Sequence, residues 1–113
     1  MHEVALAESV LQIVEDAAQR EGLRHVRAVW LEIGQLSSVE PEAMRFCFDA
    51  VARDSVAEGA RLEIVATAGA AWCNACSEQV ALAELGAPCP RCGGYRLRPT
   101  EGTGMRVIEL EAE

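Results

Sequence analysis

The sequence has no lysine, only two histidines and only five aromatic residues. All ten cationic residues are arginines, which excludes a lysine Schiff base, a phosphate-loop lysine and a lysine general base. With 18 Asp and Glu, the formal net charge is -8. General nucleic-acid binding and binding to anionic membranes both need a basic surface, so the charge argues against both. The chain has 113 residues, half of them apolar, enough for one domain or one domain with a small satellite.

Long hydrophobic runs are missing as well. No stretch reaches the ~18 apolar residues of a membrane span, and residues 1–6 lack the basic and apolar regions of a secretory signal. We therefore expect a cytoplasmic protein that does not enter a membrane. In that reducing compartment, closely spaced cysteines bind metal more often than they form disulfides.

Hydrophobic periodicity predicts two helices and three strands. The predicted elements are a helix over Val4–Arg20, a strand over Val26–Ile33, a helix from Pro41 to about Arg53, a strand over 62–67 and a strand over Met105–Glu111. Gly22 is a plausible stop for the first helix. Pro41 suits a first helical position, where its missing N–H costs nothing.

The helical spacing also predicts which side chains face the core. In the first helix these are Leu6, Val10, Ile13, Val14 and Ala17, and in the second they are Met44, Cys47, Phe48 and Val51. Cys47 lies between two phenylalanines, so we expect a buried structural thiol there rather than a ligand or nucleophile. His25 is expected at the surface.

The composition changes near Gly69, after which glycine, proline and cysteine dominate and periodicity weakens. The fold class expected is α+β: a small three-stranded sheet with two helices, interrupted by an inserted, loop-rich four-cysteine module resembling a zinc ribbon. The body is assigned to residues 1–69 and 105–113, and the module to residues 70–104. The last strand is expected to return to the sheet of the body.

Four of the five cysteines form two C-x-x-C pairs, Cys73 with Cys76 and Cys89 with Cys92. Two such turns can direct four sulfurs to one centre, the tetrahedral arrangement that structural zinc prefers. Twelve residues separate the pairs, slightly fewer than the ~15–20 usual for this pattern. Gly93 and Gly94 allow backbone amides to approach the thiolates.

Two alternatives remain for these cysteines. A rubredoxin-like iron site uses the same four sulfurs, but only Trp72 and Tyr95 supply aromatic packing. A dithiol redox motif needs one C-x-x-C that opens a helix, and neither pair here is followed by a helical pattern. With four protein ligands, a metal at this site has no open position for catalysis.

The first three residues offer a second set of ligands. The amine of Met1, the amide nitrogen and imidazole of His2, and Glu3, through its carboxylate or backbone, provide a planar set suited to Cu(II) or Ni(II). The alternative from the residues alone is a frayed terminus without a metal.

Taken in order, these features resemble the HypA/HybF family of hydrogenase maturation nickel chaperones over essentially the whole chain. The resemblance depends on Met1-His2-Glu3 before an amphipathic helix, on the strand that leads into Glu40-Pro41-Glu42, and on the paired cysteines followed by a short closing strand. The cysteine pairs alone do not distinguish this family from other zinc ribbons.

The resemblance implies a metallochaperone rather than an enzyme. It implies Ni(II) at Met1, His2 and Glu3, and structural Zn(II) at the four paired cysteines. Its implied partners are a HypB-type GTPase, the large subunit of [NiFe]-hydrogenase and, in some organisms, the urease machinery. Some members have histidines beside the cysteine pairs, where this chain has Ser77 and Gly93, so a pH-responsive zinc site and a urease role are in doubt. The other class of function is a zinc-ribbon interaction or regulatory module without nickel transport.

Overall fold

The structure, a computed structural model, describes residues 2–113. The elements in chain order are α1 (His2–Glu21), β1 (Val26–Gly34), α2 (Pro41–Val51), β2 (Arg61–Thr67), β3 (Ala70–Cys73), β4 (Glu78–Ala81), β5 (Leu97–Glu101) and β6 (Met105–Ala112). The strands form two three-stranded sheets, of order β2-β1-β6 and β4-β3-β5. The α+β class is therefore confirmed. Neither helix is long and apolar enough to cross a membrane.

The last strand returns to the first sheet, as predicted, and runs antiparallel to β1. At one end the Glu113 N–H donates to the His25 carbonyl oxygen over 2.9 Å. At the other end the Gly34 N–H donates to the Gly104 carbonyl oxygen over 2.8 Å. The closing strand thus completes a sheet that begins about 80 residues earlier in the chain.

Helix α1 ends where the sequence predicts, but it buries a different stripe. Gly22 has a φ of 68°, and the Leu23 N–H donates to the Ala18 carbonyl oxygen over 2.8 Å, so the helix closes with a left-handed residue. The buried side chains are those of Ala7, Val10, Val14 and Ala18. Ile13 was predicted to be buried and is 51% exposed. Two of these four buried side chains are alanines, and α1 packs against α2.

Helix α2 begins with the predicted proline and a carboxylate cap. The Glu40 side chain accepts hydrogen bonds from the N–H groups of Glu42, over 3.0 Å, and Ala43, over 3.4 Å. A charged acceptor at this position satisfies free backbone donors and complements the helix dipole. Met44 and Phe48 are fully buried. Cys47 was expected to be buried as well, but it is only half-buried.

By its internal contacts the chain divides into two compact units. The first contains the described chain up to Glu32, together with Val39–Val65 and Arg106–Glu113. The second contains Ile33–Ser38 and Ala66–Met105. The second unit thus includes the cysteine pairs and a short segment from the end of β1 and the loop after it.

The second unit is more regular than the sequence predicts, because it contains the three short strands β3, β4 and β5. Strand β3 is central and pairs antiparallel with both neighbours. One face of this sheet packs into a small apolar core formed by Leu36, Ala71 and Leu82 with Ala87 and Leu97. The prediction of an inserted module that resembles a zinc ribbon is confirmed, and the three short strands are the detail that the sequence does not predict.

Candidate metal sites

The four paired cysteines converge on one point of the second unit. Cys73 is the last residue of β3, Cys76 lies in the turn before β4, and Cys89 and Cys92 lie in the connection between β4 and β5. Their four Sγ atoms all lie within 4.8 Å of one another. The Sγ atoms of Cys73 and Cys92 are 3.8 Å apart, and those of Cys76 and Cys89 are 3.9 Å apart.

These distances fit a tetrahedral metal ion and do not fit disulfides. A Zn–S bond of about 2.3 Å gives a tetrahedron whose sulfur–sulfur edges are about 3.8 Å. A disulfide needs an S–S distance of about 2.05 Å, and all four cysteines are free. The four sulfurs are therefore arranged as a metal cage. Cys73 and Cys89 are buried, whereas Cys92 lies at the exposed edge.

Backbone N–H groups point at three of the sulfurs. The N–H of Cys76 donates to Cys73 Sγ, that of Arg91 to Cys89 Sγ and that of Gly94 to Cys92 Sγ, each over 3.4 Å. A Cβ on Gly94 would lie 3.4 Å from Cys92 Sγ, so the backbone passes close to the sulfur, as the Gly93-Gly94 pair predicts. Such donors stabilise thiolates and orient them toward a shared ion.

Both cysteine pairs are followed by a left-handed residue. Ser77 has a φ of 53° and Gly93 has a φ of 74°. A residue in this conformation reverses the chain directly after the second cysteine of each pair. The two turns therefore have the same local design, although one uses glycine and the other uses serine.

Without a metal, the thiols differ in acidity. Hydrogen bonds from the backbone N–H groups of Cys92 and Arg91 lower the pKa of Cys89 to about 7. Desolvation, followed by hydrogen bonds with the neighbouring cysteine sulfurs, raises the pKa of Cys76 to about 12. Four thiolates therefore cannot coexist in this cluster near neutral pH unless a cation compensates their charge. The donor set thus fits a soft or borderline divalent ion.

An ion pair that the sequence does not predict joins the two cysteine turns. Arg91, inside the second C-x-x-C, donates to the Glu78 carboxylate over 2.7 Å. Glu78 is the first residue of β4, directly after the turn that holds Cys76. Nothing in the spacing of these residues signals the contact, because it depends on both turns meeting at the same point.

At the other end of the chain, His2 and Glu3 are the first two residues of α1. Met1, predicted to supply the amine ligand, lies outside the described residues. The His2 side chain is 58% exposed, and its Nδ1 atom lies 3.8 Å from a carboxylate oxygen of Glu3. The first amides of a helix have no intrahelical acceptor, so the backbone N–H of His2 is not used in the hydrogen bonds of α1.

The Glu3 carboxylate is already engaged by the backbone. Hydrogen bonds from its own N–H and from the N–H of Glu40 lower the pKa of Glu3. Glu40 is also the cap of α2, so the same residue influences the Glu3 carboxyl and the start of α2. The lowered pKa keeps the Glu3 carboxylate ionised at neutral pH, beside the His2 imidazole.

The remaining candidates are not gathered into a site. The Nε2 atom of His25 lies 3.1 Å from the Glu58 carbonyl oxygen, a contact that joins the start of β1 to the chain before β2. Within residues 2–113, the four paired cysteines form the only group of three or more His, Cys, Asp or Glu side chains placed to share a metal ion.

Comparison with known proteins matches this arrangement to one family. The family model described as hydrogenase/urease nickel incorporation, metallochaperone, hypA covers residues 1–112. The chain belongs to the HypA family. The hydrogenase maturation factor HypA of Albidiferax ferrireducens is 65% identical over 113 residues and that of Dechloromonas aromatica is 58% identical, and the matches cover all of both chains.

Two solved structures of HypA proteins share the fold. The solution structure of the Ni metallochaperone HypA from Helicobacter pylori has a TM-score of 0.71 at 24% identity, over 97% of this chain and 96% of that one. A second solution structure of a HypA protein has a TM-score of 0.71 at 25% identity, over 100% of this chain and 97% of that one. The predictions of a nickel metallochaperone for hydrogenase maturation, and of a chain that is not an enzyme, are confirmed by family membership.

Proposed function

We propose that this chain binds Ni(II) with the amine of Met1, with His2 and with Glu3, and that Cys73, Cys76, Cys89 and Cys92 hold a structural Zn(II). Membership in a family described by nickel incorporation supports the cargo. The observation that carries the assignment is the separation of two chemically different donor sets. One is an exposed imidazole at the first turn of α1, and the other is a closed cage of four sulfurs.

The N-terminal donors suit a cargo ion that must be released. Ni(II) favours nitrogen ligands in a planar arrangement, and the exposed His2 side chain leaves the ion open to competing ligands of a partner. A four-sulfur cage offers no such access, because all ligand positions of a tetrahedral ion are filled by protein. We therefore assign transport to the N-terminus and a structural role to the cysteines.

We assign Glu3 a role in nickel binding that depends mainly on its backbone and on where it lies beside His2, rather than on its carboxylate. Hydrogen bonds from its own N–H and from the N–H of Glu40 lower the pKa of Glu3, so recruiting the carboxylate as a ligand would compete with these interactions. Glu3→Gln is the informative variant, since the amide oxygen still accepts those hydrogen bonds. Retained nickel affinity in this variant supports a backbone role, whereas lost affinity identifies the carboxylate as a ligand.

The cysteine cage contributes folding energy. A bound zinc ion supplies four metal–thiolate bonds to a unit whose own apolar core is small. The shared centre joins the end of β3, the turn before β4 and the connection to β5, so the metal fixes all three strands. We therefore assign zinc binding to residues 70–104 and nickel binding to residues 1–69 and 105–113.

Delivery requires partners of the maturation machinery. We propose a HypB-type GTPase as the protein that acts with this chain, and the large subunit of [NiFe]-hydrogenase as the recipient of nickel in the cytoplasm. The full-length similarity to hydrogenase maturation factors supports hydrogenase as the client. The family description also includes urease, which we regard as the less favoured recipient.

The deciding experiment is a calorimetric titration of Ni(II) into the zinc-loaded, untagged protein with an intact Met1. His2→Ala should weaken nickel binding by roughly a hundredfold, since even outer-shell changes cost metal sites about 10–100-fold. His25→Ala is the matched control, because it removes the other histidine of the chain and should leave the affinity unchanged. Equal nickel affinity in wild type and His2→Ala would show that the N-terminal assignment is wrong.

A further inference from the structure

Charge is distributed very unevenly between the two units. The second unit contains three arginines, Arg91, Arg96 and Arg98, and three glutamates, Glu78, Glu84 and Glu101. The remaining seven arginines and fifteen acidic residues, and with them the whole side-chain charge of -8 counted with neutral cysteines, belong to the first unit. A zinc-loaded cage of four thiolates and one divalent ion adds a net charge of -2 to the second unit. Cationic groups of the second unit therefore stand out against an otherwise acidic protein.

Two of these arginines share a face of the second sheet with a tryptophan. In the register of the sheet, Trp72 on the central strand β3 lies opposite Gln79 on β4 and opposite Arg98 on β5. Directly opposite residues have their Cβ atoms about 5 Å apart on the same face. We call Trp72, Gln79, Arg96 and Arg98 the tryptophan face.

Arg96 belongs to this face because the ladder continues past the end of β5. The Asn74 N–H donates to the Arg96 carbonyl oxygen over 3.0 Å, which places Arg96 two residues from Arg98 on the same side. The opposite side of the sheet carries Ala71, Cys73 and Val80, which are buried in the interior of the unit. The tryptophan face is thus the outer side, and both of its arginines are exposed.

Neither of these two arginines is paired directly with a nearby acidic group. Glu78 is paired with Arg91 over 2.7 Å. The carboxylate of Glu101 accepts a hydrogen bond from Gln79 of the tryptophan face over 2.9 Å. A neutral amide leaves the charge of Glu101 in place, so this carboxylate offsets one of the two arginine charges. Within residues 2–113, Arg96 and Arg98 form no ion pair. Two unpaired guanidinium groups beside a half-buried indole are well suited to carboxylates that flank an apolar group.

We propose that the tryptophan face binds an acidic segment of a partner protein. The guanidinium groups would bind the carboxylates, while Trp72 offers apolar area of the kind found in the anchors of protein interfaces. Strand addition at the neighbouring edge is disfavoured, because Pro99 in β5 has no N–H to donate. The net charge of -8 opposes any anionic partner over long range. Nucleic acid is the less favoured one, because its charge density is far higher than that of a short acidic segment.

The test measures binding of a short fluorescein-labelled peptide, rich in glutamate with one phenylalanine, to the zinc-loaded full chain. In the double variant Arg96→Glu/Arg98→Glu, binding should weaken about tenfold or more, because two charge contacts become repulsive. The matched control is Arg20→Glu/Arg53→Glu. It changes the net charge equally at two exposed arginines of the first unit and should retain binding within about twofold.

A second readout locates the peptide. In a Trp30→Phe background, Trp72 is the single tryptophan, and its fluorescence should change on binding. The Arg96→Glu/Arg98→Glu variant should keep its zinc and its Ni(II) affinity, which separates this surface from the proposed nickel site.

Three results would overturn the proposal. The first is equal loss of peptide binding in both double variants, which would indicate only overall charge. The second is tighter binding of a single-stranded oligonucleotide than of the acidic peptide. The third is self-association, detected by sedimentation, that the Arg96→Glu/Arg98→Glu variant abolishes, since the acidic partner would then be a second copy of this chain.

Discussion

Arg91 and Glu78 form a 2.7 Å ion pair that joins the second cysteine turn to the strand after the first. Both side chains are substantially exposed, at 64% and 40%. Solvent screening therefore limits the energy of the pair, even though its geometry is good. The metal cage, rather than this ion pair, is what holds the two turns together, and the two contributions can be separated by experiment.

Arg91→Ala should lower the free energy of unfolding of the zinc-loaded protein by less than about 1 kcal/mol, the usual upper value for an exposed ion pair. Chemical denaturation measures this change. The hydrogen bond from the backbone N–H of residue 91 to Cys89 Sγ is not removed by the substitution, so zinc should be retained. Loss of zinc in Arg91→Ala would contradict this account.

Zinc removal should unfold the second unit selectively. Cys73→Ser, or treatment of the wild type with a strong chelator, should broaden or shift the amide resonances of β3, β4 and β5, because the metal supplies much of the folding energy. The resonances of α1 and α2 should be largely preserved. Cys47→Ser is the control, since the half-buried Cys47 lies in α2 and outside the cage. It should keep a full complement of zinc.

Proton release on zinc binding should fall as pH rises. The pKa of Cys89 is lowered to about 7, so this thiol is protonated below that pH and must lose its proton when it binds zinc. Above about 7 it is already a thiolate and has no proton to release. Cys76, with a pKa raised to about 12, releases its proton at every pH tested. Between about pH 6 and pH 8, the number of protons released should fall by up to one.

Calorimetry in buffers of different ionisation enthalpy measures that number. Repeating the titrations with Cys47→Ser controls for general thiol chemistry, since this thiol is not part of the cage. A proton count that stays constant across the range would show that the hydrogen bonds to Cys89 Sγ do not lower its pKa as described.

Nickel should be released in acid by protonation of nitrogen ligands rather than of Glu3. Backbone hydrogen bonds lower the pKa of Glu3, so its carboxylate stays charged as the pH falls through the range in which imidazoles and terminal amines generally titrate, about pH 5 to 8. Glu3→Gln should therefore leave the pH midpoint of nickel release unchanged. A midpoint that shifts by a full pH unit in this variant would implicate the carboxylate directly.

Core substitutions should follow the observed burial and not the predicted stripe of α1. Met44→Ala should destabilise the protein by about 2–5 kcal/mol, because a fully buried side chain is removed. Ile13→Ala should cost no more than about 0.5 kcal/mol, because Ile13 is 51% exposed. Denaturation of both variants in the same buffer provides the comparison. A larger decrease in the free energy of unfolding for Ile13→Ala than for Met44→Ala would mean that α1 packs through a different face.

The sequence predicts the larger elements well because each has a clear period or a local stop signal. Gly22 and Pro41 mark the end of α1 and the start of α2 without any tertiary information. The buried face of α1 cannot be predicted in this way, because Ile13 fits the helical period as well as Ala7 and Ala18 do. Only tertiary packing decides which side of the helix is buried.

Short strands and contacts between turns are harder to predict. Strands β3 and β4 have four residues each, too few for alternation to be distinguished from a loop. The cysteine cage is predictable, because two C-x-x-C pairs in one short chain are typical of a metal site with four sulfur ligands. The contact of Arg91 with Glu78 and the shared face of Trp72 and Arg98 depend on register, which single-sequence patterns do not specify.

The central claim is that nickel and zinc occupy different donor sets, with nickel at the N-terminus. X-ray absorption at the nickel edge of the untagged, zinc-loaded protein carrying one equivalent of Ni(II) tests it most directly. The account predicts a first shell of nitrogen and oxygen with no sulfur scatterer, and loss of that spectrum in His2→Ala. A nickel–sulfur shell would contradict the account, because it would place the cargo in the cage of Cys73, Cys76, Cys89 and Cys92.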